Sequence, residues 1–361
     1  MIDEKLHNLI KSKNKNTALC IGAIAVVMGV IRIILTRFYI EPEVHFYTDN
    51  SNFFVLSFDY ITAGCIIAIY IASMFMYRYN KDDYKYLAAS NAFVQGTQSQ
   101  VFSASLTGFL LAASPVFQIY FLMKNDGLPL GERIGNYIKE FPFDFLLFFV
   151  AILCSVYFFK TAALSYDIGE NEDDYENNGA KNNINKNNID NIDINNSVND
   201  LGIGNGINAV NQEAEQEREK ENAKENGQAD NKYSQFYIVL SFMPILWSFL
   251  NIFKCFFDMS KAVNSPVRIY ELMCFLALSA YFVSESRMLV GRHKISRFFT
   301  FAYMAVILVA VSALPNLILS SFWILKTNST QIIYAVELSF GLYIASRIYS
   351  QIRYSKFLLE R

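Results

Sequence analysis

The residues that could do chemistry in this chain are four ionisable side chains set inside long apolar runs: Arg32, Asp59, Glu271 and Glu337. A charge in hydrocarbon costs about 2.5–3.5 kcal/mol on insertion scales, so such groups are candidates for binding an ion, a proton or each other. At 1.5 Å of rise per residue, Arg32 and Asp59 each fall roughly 10–13 Å inside the ends of their runs. Glu337 sits at a similar depth in the last run, and Glu271 nearer a boundary. Arg32 and Asp59 belong to consecutive runs joined by the short connection 41–51. Those two helices are therefore expected to be antiparallel neighbours, with the two charges within reach. The plain reading is a structural ion pair. The functional one is that Asp59, with Glu337 nearby, binds a cation or proton. Glu285 and Arg347, close to helix ends, read as snorkelling groups or as a structural pair.

No other constellation carries chemistry. A Gly-rich phosphate loop and a His-Glu-x-x-His pair are both missing from the sequence. The three histidines, His7, His45 and His293, lie in separate regions, so a shared metal site is not expected. The five cysteines all fall in apolar runs without a second cysteine at metal spacing and read as reduced packing residues. No cofactor is implied, and the expectation leans away from an enzyme. No basic run resembles a nucleic-acid footprint.

The elements that hold these residues are eight apolar segments, at about 17–40, 52–77, 101–123, 143–165, 234–257, 267–290, 298–325 and 330–350. Each is long enough to cross a hydrocarbon core of about 30 Å. The last is the least apolar and 298–325 contains a proline, so seven spans is the competing count. The fold class expected is all-α, a polytopic transmembrane bundle in two groups of four, 1–165 and 233–361. Ser103, Ser105, Thr107 and Gly108 in the third segment suit close helix contact. The connection 124–142 has apolar residues at helical spacing after three Gly/Pro breakers, which predicts a short amphipathic helix or an ordinary connecting one.

Between the groups lies 166–232, rich in Asn and acidic. It holds 16 acids and 6 bases, a net of −10, against 33 and 31 for the whole chain; the remainder therefore has 17 and 25, a net of +8. The stretch 177–211 has too little apolar surface to offset the entropy of ordering it and reads as a disordered loop. It is the expected contact for a protein partner, the other partner being the lipid bilayer.

Loop charge gives orientation. The N-terminal tail, the loop with Arg78, Lys81 and Lys85, the loop with Arg292 and Lys294, and the C-terminal tail are all basic. The connection 41–51 has no Lys or Arg. This places both termini and the central loop in the cytoplasm, in a plasma-membrane protein, with the candidate residues in the outer half.

The segment from Glu285 to Ile318 has a Glu-x-Arg pair at a helix end (Glu285, Arg287), then Gly291-Arg292, then a small-residue span with Pro315. It resembles a block of an uncharacterised family of bacterial multispan membrane proteins, a resemblance that implies no activity and no functional residue.

Taken together, the residues predict a transporter or small-ligand sensor with a polar site in the outer half of the bundle. The alternative is a non-catalytic membrane subunit or scaffold. A further expectation is that the halves are a parallel repeat, with Asp59 matching Glu271 and Pro115 matching Pro315.

Overall fold

The computed structural model describes residues 2–41, 46–48, 53–76, 97–125, 131, 142–186, 235–257, 265–290, 295–322 and 331–354. These form helices α1 (Ile2–Tyr39), α2 (Phe53–Met76), α3 (Gln98–Asn125), α4 (Pro142–Lys186), α5 (Gln235–Leu240), α6 (Met243–Phe257), α7 (Pro266–Leu289), α8 (Ile295–Ser321) and α9 (Gln331–Tyr354). Eight stretches are long and apolar enough to cross a membrane, α5 and α6 together making one. The protein is an all-α, multi-pass membrane protein, with eight candidate spans among the described residues. Nearly all of the expected amphipathic helix at 124–142 lies outside the described residues, as does 187–232.

Local sequence sets several boundaries. Ser265 caps α7, its hydroxyl accepting from the Arg268 N–H at 3.3 Å, with Pro266 in the first turn where its missing N–H costs nothing. Pro244, at the second position of α6, has no N–H for the helical bond to Leu240 and separates α5 from α6 at Ser241–Phe242. The freed turn is used: the Ser241 carbonyl accepts the Ser286 hydroxyl at 2.9 Å. Composition ends the fourth run at 165, but α4 continues to Lys186. Extending a helix already nucleated by a span adds a hydrogen bond per residue fixed.

Cross-helix contacts define two ends. Arg32, Tyr47, Asp59, Asp144, Lys254, Tyr270, Glu271 and Tyr334 meet at one, called distal here. Ser73, Ser103, Thr161, Tyr237, Ser286, Ser296 and Ser346 meet toward the other, called terminal because α1 starts and α9 ends on that side.

The two groups of four interlock. α8 packs against α1, α2, α7 and α9, and α9 packs in turn against α3. In the most apolar stretch of each span, 67% of residues are buried in α8 and in α9 but only 17% in α2. Small residues permit the closest approaches. A Cβ on Gly29 would fall 2.8 Å from the Ala310 carbonyl oxygen, and one on Gly341 would fall 2.7 Å from Val309 Cγ1. The small and hydroxyl residues of α3 make the contact expected of them. Ser103 Oγ lies 2.6 Å from Ser346 Oγ, and the Thr107 hydroxyl donates to the Ser339 carbonyl at 3.1 Å.

Two expectations are corrected. α1 and α2 barely touch; both pack on α8 instead, since a short connection brings two helix ends together without obliging their lengths to pack. The halves are not a repeated unit either. In the second half α6, α7, α8 and α9 pack in succession, whereas α2 has no substantial contact with α3.

Candidate functional site

Three polar networks are built into the bundle. The first sits at the distal end. Although α1 and α2 hardly meet, Arg32 and Asp59 do: the guanidinium Nη1 is 3.8 Å from Asp59 Oδ1. Tyr47, brought over the pair by an antiparallel bridge between Ile40 and Tyr47, joins them. Arg32 donates to the Tyr47 hydroxyl at 2.7 Å, and that hydroxyl donates to Asp59 at 3.1 and 3.2 Å. From α7, Tyr270 donates to Asp59 Oδ1 at 2.7 Å. The Arg32 side chain is buried and the Asp59 side chain is 38% exposed. Burial pushes the Tyr47 phenol above its ordinary range, with the neighbouring Arg32 charge working against that.

The second network begins one residue further along α7. Glu271 is buried, because the start of α7 packs under cover of α6 and α8. Its Oε1 accepts Asn316 Nδ2 at 3.1 Å and the Tyr334 hydroxyl at 3.0 Å, and its Oε2 accepts the Cys255 thiol at 3.5 Å. Glu337, on α9, is only 1% exposed and accepts the Cys274 thiol at 3.8 Å. Cys274 lies one turn from Glu271 and Tyr334 one turn from Glu337, so each helix contributes an acid and a donor to the other's acid. Asp59 and Glu337, expected together, belong to different networks: Glu337, like Glu271, lies near Cys274.

The third network lies toward the terminal end. Arg347 Nε is 3.2 Å from Glu285 Oε1, with neither side chain reaching solvent. The Tyr343 hydroxyl donates to the same oxygen at 2.7 Å, and Glu285 Oε2 has no hydrogen-bond partner. The snorkelling option for these residues is thereby set aside, and the pairing option stands.

The chain matches no protein-family model, and no curated protein or solved structure is similar to it. The functional reading therefore rests on geometry.

Between the second and third networks lies a layer of rings. Phe340 packs on Phe282, Phe158 and Trp247 with centroids 5.3, 5.5 and 5.1 Å away. A small cleft lined by Ser114, Gln118, Trp247, Asn251 and Val336, between α3, α4, α6 and α9, has room for about one water. Among the described residues, no group of three or more His, Cys, Asp and Glu is placed to hold a metal ion. The acids Glu271 and Glu337 can exchange protons or meet a small cation through oxygen ligands.

The structure places Arg32, Asp59, Glu271 and Glu337 at one end of the bundle, in two networks on adjacent positions of α7. Sequence reasoning missed the hydroxyl, amide and thiol groups that serve them: Tyr47, Tyr270, Cys274, Asn316 and Tyr334. The one signal available was Asn316, a polar side chain directly after the span proline Pro315.

Proposed function

We propose that this protein is a membrane transporter or small-ligand sensor whose site is the acid pair Glu271 and Glu337, with Arg32 and Asp59 closing the bundle above it. The observation that carries the reading is the meeting of two buried carboxylates from α7 and α9 around Cys274. Two carboxylates in a membrane interior repel each other unless a proton or cation is shared between them. The ligand is accordingly a proton, a small cation or an amine. The basic loops support an outward-facing distal end, with both termini and the segment 166–232 in the cytoplasm of a plasma-membrane protein. The likeness of 285–318 to bacterial multispan proteins accords with this and adds no activity.

Thermal unfolding of the purified protein tests the site. Sodium, potassium, choline and protons are compared at matched ionic strength. At least one is expected to raise the melting temperature, as any ligand of the folded state does. The shift is expected to vanish in Glu271→Gln and Glu337→Gln. A panel without any shift, or a shift that survives in the double variant, would refute the reading.

A non-catalytic membrane subunit is the second reading, favoured by α2, which is held almost entirely by α8 and leaves most of its surface uncovered. A stoichiometric partner retained on isolation from the native membrane would support it, with the acidic segment 166–232 as a further contact.

A further inference from the structure

α7 and α9 meet mainly through their side chains. Each packs closely on α8, but their own backbones hardly approach each other. What joins them is a row of long side chains. From the distal end the row runs Tyr334 to Glu271, Cys274 to Glu337, Phe340 to Phe282, and then Tyr343 and Arg347 to Glu285. A seam held by side-chain reach can open by rotamer changes, whereas one held by backbone approach cannot. The row is polar at both ends and aromatic between. From Glu271 to Glu285 it spans about 21 Å of α7, most of a hydrocarbon core.

At the terminal-end member, the Glu285 carboxylate has one oxygen doubly engaged, while the other meets no donor at hydrogen-bond geometry and has the Tyr281 hydroxyl nearby, at 1% exposure. A structural ion pair is best satisfied when every lone pair is used. The unused oxygen is a vacant position for a proton. The interruption between α5 and α6 lies beside it, since Ser286 bonds the Ser241 carbonyl. Interrupted membrane helices supply unpaired backbone groups where ions pass.

We infer that the α7–α9 seam is a proton path, with Glu271 and Glu337 as its distal station, the Phe282–Phe340 contact as its barrier and Glu285 as its terminal-end station. The inference rests on the transporter reading above. A proton arriving at Glu285 bonds to Oε2 and leaves a neutral acid. Arg347 keeps its charge and exchanges the carboxylate for the Tyr343 hydroxyl oxygen. Loss of the proton to the terminal side restores the pair. The titratable and charged groups facing Glu285 are Arg347 and Tyr343 on α9, Tyr281 on α7 and Tyr157 on α4, with Tyr237 of α5 stacked on Tyr157 at 5.4 Å.

The test uses the full chain in vesicles of phosphatidylethanolamine and phosphatidylglycerol with an entrapped pH dye, under a potassium diffusion potential. Wild-type protein is expected to pass protons faster than the leak of protein-free vesicles. Glu285→Gln is expected to fall to that leak. Should Glu285→Gln fail to fold, Glu285→Asp and Tyr343→Phe carry the test: both retain flux, with a displaced pH profile that a purely structural role would not produce. Wild-type flux no greater than the leak overturns the path, as does wild-type flux in Glu285→Gln or an unchanged profile in both conservative variants. Cation-dependent stabilisation that depends on Glu337 is read separately. The distal site therefore stands if only the flux fails.

Discussion

Tyr270 lies against Arg32 face-on, with the guanidinium carbon 4.3 Å from the ring centroid, while its hydroxyl donates to Asp59. One side chain thus serves both members of an ion pair, the cation through its π face and the anion through its O–H. Tyr270→Phe keeps the first role and is expected to cost about 1 kcal/mol, the net worth of one hydrogen bond. Tyr270→Leu loses both and is expected to cost about 1–2 kcal/mol more. Thermal unfolding of the purified variants measures the difference; equal costs would show that the ring face contributes nothing.

Arg32 and Asp59 can be separated from the acid pair by a mutant cycle. Asp59→Asn strands a buried guanidinium. Its cost is expected to fall below the about 3–5 kcal/mol of a fully buried pair, because Asp59 is 38% exposed and water reaches it. Arg32→Gln with Asp59→Asn is expected to cost less than the two single changes summed. If the pair is purely structural, the double variant keeps its cation response. Loss of that response with stability retained would move Asp59 into the ligand site.

Tyr47 predicts an alkaline weakness. Burial holds its phenol above the ordinary value, so the folded state keeps a proton that the unfolded chain releases. Stability from this group is complete below the unfolded phenol's pKa of about 10 and declines as pH rises from there toward the folded value. Tyr47→Phe is expected to flatten that decline while losing about 1 kcal/mol at neutral pH. An unchanged alkaline limb in urea or thermal unfolding would contradict the burial argument.

Glycines around α8 give a graded series. Gly341→Ala and Gly29→Ala place a methyl under 3 Å from Val309 and Ala310 respectively, and each is expected to cost about 1–3 kcal/mol through overpacking. Gly22→Ala meets nothing within 4 Å and is expected to be neutral or to stabilise by about 0.5–1 kcal/mol through helix propensity. Val309→Ala is expected to rescue Gly341→Ala in part and leave Gly29→Ala unrelieved. Melting temperatures of the set decide it.

Orientation follows from loop charge and can be checked directly. In a cysteine-free background, a cysteine at Thr48 is expected to react with an impermeant maleimide applied to intact cells, and one at Asn205 is expected to be protected. The reverse pattern would turn the bundle over.

The eight spans were legible because apolar length is a property of consecutive residues, and the observed helices follow the expected ones closely. The Arg32–Asp59 contact was legible for a similar reason, since both lie near one short connection. Its helices were not: α1 and α2 chose α8, made more than two hundred residues later, and no local pattern announces such a partner. The same distance hid Tyr270 from Asp59 and Tyr334 from Glu271. The burial of Glu271 was not legible, because hydropathy along one segment does not show how far neighbouring helices cover it. Cys274 read as packing because a thiol in an apolar run looks alike whether or not a carboxylate faces it.

The dependence of α1 and α2 on α8 also sets an order of assembly. At about 5–20 residues per second, roughly 10–45 s pass between completion of α2 and the start of α8. During that interval the first two helices sit in the bilayer without their main partner. The Arg32–Tyr47–Asp59 contacts, all within the first hairpin, are available throughout. They shelter a cation from lipid before the rest of the chain exists, so their first service is to the nascent protein.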